Sequence, residues 1–299
     1  MKKFIREILS FFLWPTIIGV PLLVGAGYYI QTIDPEFDLD TEIHTVFIGD
    51  SHVQQGINDS LLPHSLNLGT SSESFYFSYF KLEKLLSRNP SINKVYIGIS
   101  YHSLSSYYDN FIFGNKSTAI SPKYFYMLPF SQQLKLLSWN KSNMVSFLKG
   151  IGNKGFHKIS GTDDFLHMGG YSSRFDKTKA VKSSMDKRIH FQYYSNDKAT
   201  NFSEFNLHYF DKISELCSRN GIEIVAINTP LHPYYLEQVP TPFKNKLTEV
   251  IQSKNINYID FSGLELSDSC FIPDGDHVSK LGATAISKKL LDSTMSISF

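Results

Sequence analysis

His44 to His52 reads His-Thr-Val-Phe-Ile-Gly-Asp-Ser-His (HTVFIGDSH). Thr45 to Ile48 are β-branched or aromatic and uncharged, the pattern of a strand buried on both faces. Gly49-Asp50 ends the run. Asp50 or Ser51 can then cap a short helix. That places Ser51 at a strand-to-helix turn, with its hydroxyl at the helix N-terminus. The dipole there favours an oxyanion, and the first backbone N–H groups have no partner inside the helix.

The same unit recurs along the chain. Ser65 to Leu68 is a weaker strand ending at Gly69. Ser74 to Arg88 carries Phe75, Tyr79, Leu82 and Leu86 at helical spacing. Lys94 to Ile99 (KVYIGI) is a strand. Asn201 to Asn220 reads as a helix capped by Asn201 or Ser203 and stopped by Gly221. Ile222 to Asn228 is the clearest strand, Thr241-Pro242 opens a helix to about Lys254, Ile256 to Asp260 is a strand, and Ser279 caps a last helix through Leu291. This alternation predicts an α/β fold: a three-layer α/β/α sandwich around a central parallel sheet of about five strands. Doubly wound sheets bind ligands beyond the carboxyl ends of their strands, so chemistry should follow strands. Residues 101–200 interrupt the pattern. They are rich in Tyr, Phe, Ser, Lys and Asn, with one predicted helix at Ser131 to Leu148, and an insertion that long is usually a lid or binding surface.

The chain has 299 residues, 42% hydrophobic and 19% charged, enough to bury a core. Its 29 basic and 28 acidic residues leave a net charge of +1, which gives no footprint for nucleic acid. Only Arg6, Arg88, Arg174, Arg188 and Arg219 are arginines, too few for phosphate recognition by guanidinium forks. Two cysteines, Cys217 and Cys270, exclude a disulfide scaffold and a Cys-based metal centre, and leave one disulfide or two buried thiols. No H-x-E-x-H or H-E-x-x-H spacing occurs among His102, His167, His190 and His208, so neither a metal nor a cofactor is expected.

Lys2, Lys3 and Arg6 precede an uncharged run from Ile8 to Ile33. As a helix it would span roughly 39 Å at ~1.5 Å per residue, more than a hydrocarbon core. Residues 1–34 therefore read as a membrane anchor and its flank. On that reading the N-terminus is expected in the cytoplasm, with residues 35–299 as the periplasmic or extracellular body of a bacterial single-pass protein. The rival is a signal peptide cleaved near Val24-Gly25-Ala26. Asp34 to Asp40 forms an acidic linker, and the body beyond it is near neutral.

The C-terminal part supplies the other half of a site. Pro273-Asp274-Gly275-Asp276-His277 precedes the last helix. Asp274 three residues before His277 can hold one ring nitrogen while the other faces a nucleophile, the arrangement of a serine triad. Asp276, adjacent in sequence, is less able to reach the ring. With Gly49-Asp50-Ser51, Asn67-Leu68-Gly69, Lys94 to His102 and Asp274 to His277 in this order, the chain resembles the SGNH (GDSL-like) hydrolase family, whose central sheet is flavodoxin-like. The resemblance brackets residues 44–290. It implies Ser51 as nucleophile, His277 as base, Asp274 as its orienting acid, and the N–H groups of Ser51 and Gly69 as oxyanion donors.

One block departs from that pattern. After the third strand the family usually has an Asn donor, and here the text is Gly98-Ile99-Ser100-Tyr101-His102. Ser100 or His102 would have to donate instead. His232 and Tyr234 follow the fourth strand and either line an acceptor groove or pack a Pro-bounded loop. His44 reads as structural, and His52 as pointing away from the reacting atoms. The GDSH variant with an N-terminal anchor resembles extracytoplasmic SGNH proteins of polysaccharide O-acylation, including DltD-like proteins. That resemblance implies a serine esterase or O-acyltransferase acting on acyl esters, with a polytopic membrane acyltransferase as acyl-donating partner and an envelope glycan as acceptor. The alternatives are a non-catalytic SGNH-fold glycan-binding or scaffold protein, and a periplasmic lipase or thioesterase.

Overall fold

Five short runs pair into one parallel sheet, the three central ones mostly buried and the two edge ones polar and partly exposed. They are β1 (Thr45–Ile48), β2 (Ser65–Asn67), β3 (Lys94–Gly98), β4 (Glu223–Asn228) and β5 (Asn257–Asp260). All neighbours are parallel, in the order β2-β1-β3-β4-β5. The computed structural model describes residues 37–162, 168–173, 178–254 and 256–295, with scattered positions between 3 and 29.

Successive side chains alternate between two helical layers. Val46, Ile48, Val95, Ile97 and Ala226 face one core, with α2 (Phe75–Arg88), α6 (Glu204–Arg219) and α8 (Thr241–Lys254). Phe47, Tyr96, Val225 and Ile227 face the other, with α1 (Ser51–Gly56) and α9 (Lys280–Met295). On that side the rings of Phe47 and Tyr96 stack at 4.6 Å. Each large apolar side chain so buried contributes about 1.5–3 kcal/mol. The sheet is the five-stranded parallel one expected.

Residues between β3 and α6 fold as an insertion packed on the carboxyl edge of the sheet. It holds α3 (Phe130–Trp139), α4 (Met144–Ser160) and α5 (Lys182–Tyr193). The single helix expected over Ser131 to Leu148 is instead two. Asn140 breaks it: the side chain is buried, and its amide donates to Ile112 O and Leu136 O, both at 2.8 Å. α7 (Pro233–Gln238) follows β4. Cys217 and Cys270 are both free thiols. The expected anchor falls mostly outside the described residues. Among the described residues no helix is long and apolar enough to cross a membrane.

Candidate active site

In a sheet ordered 2-1-3-4-5 the connections reverse direction at β1 and β3, which opens a crevice at their carboxyl ends. Ser51 begins α1 there. Three glycines bring the helix this close. A Cβ on Gly49 would lie 2.9 Å from Val53 Cγ2. On Gly69 it would lie 2.6 Å from Gln54 N, and on Gly98 well under 3.0 Å from Val53 Cγ2. Each glycine ends one strand, and together they form a cradle for Val53. Asp50 is the N-cap and accepts from His52 N–H at 2.8 Å. The Ser51 hydroxyl is therefore not spent on capping.

That hydroxyl is 2.7 Å from His277 Nε2. His277 Nδ1 is 2.8 Å from Asp274 Oδ2. Asp274 does two jobs. Its Oδ1 accepts the N–H groups of Asp276 and His277, both at 3.1 Å, which folds the turn, while Oδ2 holds the ring. Gly275 takes the left-handed φ of +63° that this turn needs. Burial alone would raise the Asp274 carboxyl, but the His277 ring overcomes this and holds it below the ordinary value. Serine, histidine and aspartate thus form a hydrogen-bonded line from helix start to late loop, the arrangement that lets a hydroxyl lose its proton as it attacks.

Several expected roles change in the structure. Gly69 is not a free oxyanion donor: its N–H donates to Asn67 Oδ1 at 2.8 Å. Asn67 also donates through Nδ2 to Val53 O at 2.8 Å and Ile57 O at 2.6 Å, so the Asn-Leu-Gly block clamps α1 to β2. His102 does not stand in for the missing Asn at the serine. Its Nε2 is 2.8 Å from Asp50 Oδ2, and its ring lies 4.3 Å from that of His52. Ser100 is buried just beyond β3, where its N–H donates to Ser103 Oγ at 3.1 Å and caps the turn that follows. Ser51 N–H, at the first helical position, has no carbonyl one turn back to bond. His232 caps α7, accepting from Tyr234 N–H at 3.2 Å, and donates its own N–H to Gly275 O at 2.8 Å. Tyr234 OH is 2.6 Å from Asp186 Oδ1. His232 thus braces the turn that carries His277, and Tyr234 ties α7 to α5. His44 bonds Ser91 O at 3.2 Å, at the far end of the sheet.

A second polar network lies under the first, built from residues that no motif marks. Asp276 is fully buried, with Oδ2 accepting from Arg188 Nε at 2.7 Å and Gln192 Nε2 at 2.8 Å, both on α5. Its Oδ1 is 3.1 Å from His52 Nε2, and Oδ2 is 3.9 Å from His277 Nδ1. Tyr108 of the insertion donates to Asp50. Burial opposes charge on Asp50, yet His102 and then His52 hold its carboxyl well below the ordinary value. Burial would lower His52, but Asp276 raises it, whereas burial keeps His102 low. The insertion is therefore a wall of the site, tied to it by Arg188, Gln192 and Tyr108.

No family model matches the chain, and no curated protein matches it. Among solved structures it is similar to a GDSL-like lipase from Bacteroides thetaiotaomicron, at 10% identity over 87% of this chain and 91% of that one, with a TM-score of 0.38. It is similar to a catalytic mutant of an acetylxylan esterase from Geobacillus stearothermophilus, at 10% identity over 85% and 95% with a TM-score of 0.39. A psychrotrophic esterase from Pseudoalteromonas sp. is similar at 9% identity over 85% and 97%, with a TM-score of 0.37.

Proposed function

We propose that this chain is a serine esterase of the SGNH type, and that Ser51, His277 and Asp274 carry the reaction. The observation that carries this is the continuous line from Ser51 Oγ to His277 Nε2 at 2.7 Å and from His277 Nδ1 to Asp274 Oδ2 at 2.8 Å. Ser51 Oγ attacks an acyl carbonyl while its proton passes to Nε2. The tetrahedral oxyanion accepts a hydrogen bond from Ser51 N–H at the start of α1. As the intermediate collapses, the leaving oxygen takes the proton from Nε2 and the acyl group stays on Ser51. Water or a sugar hydroxyl then gives its proton to Nε2 and attacks the acyl-enzyme, which returns Ser51. Asp274 keeps the ring in the tautomer that accepts through Nε2.

We propose further that the body works at the outer face of a membrane, with an envelope glycan as acceptor and a polytopic acyltransferase as acyl-donating partner. The acceptor and the partner rest on the resemblance of the GDSH block and anchor. Two features favour the membrane. One is the uncharged run from Ile8 to Ile33 behind three basic residues. The other is α4, where Val145 (83%), Leu148, Phe156 (69%) and Ile159 lie exposed along one stripe. Lys149, Lys154 and Lys158 share that helix, the composition of a segment lying on an anionic lipid surface.

The test of the esterase is a serine-directed phosphonate and an activated acetyl ester. Wild type should label once and turn over, and Ser51→Ala should do neither. His277→Ala should nearly match it. Turnover unchanged in Ser51→Ala removes the mechanism.

A further inference from the structure

Three buried acceptor atoms face one another beneath the serine. His52 Nε2, His102 Nδ1 and Asp276 Oδ1 all lie within 4.8 Å of one another. None of them makes a hydrogen bond. His52 Nε2 and Asp276 Oδ1 stand 3.1 Å apart, but not in hydrogen-bonding alignment. The opposite atom of each side chain is engaged. His102 Nε2 is 2.8 Å from Asp50 Oδ2, and a carboxylate accepts there, so the proton sits on Nε2 and Nδ1 keeps its lone pair. His52 Nδ1 is 3.0 Å from Thr229 Oγ1, and in the tautomer that donates to that hydroxyl the Nε2 lone pair is free to bind a cation. Arg188 and Gln192 hold Asp276 by Oδ2, which leaves Oδ1 turned inward.

With both rings neutral, three lone pairs converge in this buried space, and something positive must lie between them: a cation, or the proton that Asp276 favours on His52. From this geometry we infer that His52, His102 and Asp276 form a binding site for one divalent transition cation of the Zn²⁺ class. Two imidazole nitrogens and one carboxylate oxygen are a ligand set that such ions favour, with a further position left for water. Tetrahedral zinc with bonds of about 2.0–2.1 Å wants donors about 3.3 Å apart. The His52–Asp276 pair is already near that spacing at 3.1 Å, and His102 Nδ1, within 4.8 Å of both, would turn toward the ion about its Asp50 hydrogen bond. Each ligand also has the outer partner that a metal site requires: a carboxylate behind one histidine, a hydroxyl behind the other, and donors behind the carboxylate. Charge agrees, since the two carboxylates Asp50 and Asp276 outweigh the single guanidinium of Arg188.

The position gives the ion a task distinct from chemistry. His52 adjoins Ser51, Asp276 adjoins His277, and His102 lies just beyond β3. One ion would pin the starting turn of α1, the late loop and the third strand end together, and so fix the spacing of Ser51 and His277. His52, His102 and Asp276 are then positioning residues. The sequence hides the site because its ligands come from three separate segments.

Full-length protein stripped with a chelator and titrated with Co²⁺, then Zn²⁺, tests this. One equivalent of Co²⁺ per chain should bind with the visible bands of a low-coordinate site, Zn²⁺ should displace it, and Zn²⁺ should raise the melting temperature. His102→Gln should abolish the bands. Thr229→Val, which keeps shape and removes only the outer hydrogen bond, should weaken binding about 10–100-fold while remaining folded. Ser51→Ala should bind as wild type does, which separates this site from the esterase reading. Absence of saturable Co²⁺ or Zn²⁺ binding by folded wild type overturns the inference and leaves a proton or a water among the three atoms. Undiminished binding in both His102→Gln and Thr229→Val overturns it as well.

Discussion

Gly98→Ala probes how the sheet edge holds the serine. The added Cβ would lie well under 3.0 Å from Val53 Cγ2, while Ile48 O and Val53 Cβ, its next neighbours, stand at 3.7 Å. Carbon atoms in contact rest at about 3.5–4.0 Å. One methyl of Val53 must therefore retreat by more than roughly half an ångström, or α1 must shift. Val53 is fully buried, and the positions of Gly49 and Gly69 hem it in at contact range, so it has little room to rotate. Overpacking of this kind costs about 1–3 kcal/mol. Val53→Ala alone loses two buried methyls and leaves a cavity, roughly 2–3 kcal/mol. In the double variant the new methyl occupies space that Val53 vacates. Its cost should fall short of the sum by about 1–2 kcal/mol, well beyond the ~0.5 kcal/mol scatter of independent sites. Urea unfolding of the four proteins gives the coupling. Phosphonate labelling reports Ser51 directly: Gly98→Ala should slow it by at least about tenfold, since small displacements of reacting groups are costly, and the double variant should recover. Additive stabilities, or labelling unaffected by Gly98→Ala, would refute the cradle as the reason for the glycine.

Asp274→Asn should lower kcat on an acetyl ester by roughly 10²–10⁴ with little change in KM, because the ring loses its tautomer and not the substrate; an equal loss in KM alone would point to binding. Lys81 is fully buried against Glu73, 2.6 Å away, so Lys81→Met should cost about 3–5 kcal/mol by stranding the carboxylate. Glu73→Gln added to it should restore most of that in the same urea melts. Burial pushes the Cys217 thiol up to about 12, so a maleimide at neutral pH should modify Cys270 alone until denaturant is added. Leu148→Ser with Phe156→Ser should reduce quenching of a probe on α4 by brominated anionic lipids in reconstituted vesicles; unchanged quenching would separate α4 from the membrane.

The fold was legible where local pattern and tertiary role agree. The strands are short apolar runs, and the helix from Thr241 to Lys254 has the very ends its Thr-Pro start and charged finish suggest. The broken helix at Asn140 was not legible. Its cause is a side chain that reaches Ile112 in another segment, and helical periodicity carries no trace of that. The same holds for Arg188 and Gln192. They meet Asp276 from more than eighty residues away, on a helix whose sequence looks like an ordinary solvated face. Gly69 departs from the role the resemblance implies for a subtler reason. That role needs a free N–H, but Asn67, two residues earlier, already accepts it.

The late loop shows how spacing can hold more than one message. In Asp274-Gly275-Asp276-His277 two carboxylates lie within three residues of the ring. Adjacency leaves Asp276 pointing across the turn, and Gly275 at φ +63° turns the chain so that Asp274 returns to His277 Nδ1 at 2.8 Å while Asp276 stays 3.9 Å away. The outer aspartate thus folds the turn and aims the ring at Ser51. The inner one is sent down beside His52, where its full burial would be prohibitive without the guanidinium of Arg188 and the amide of Gln192 as donors. Two acids in one short motif therefore divide between the reacting line and the network beneath it. What assigns them is the backbone conformation of one glycine, a property that neither charge nor spacing records.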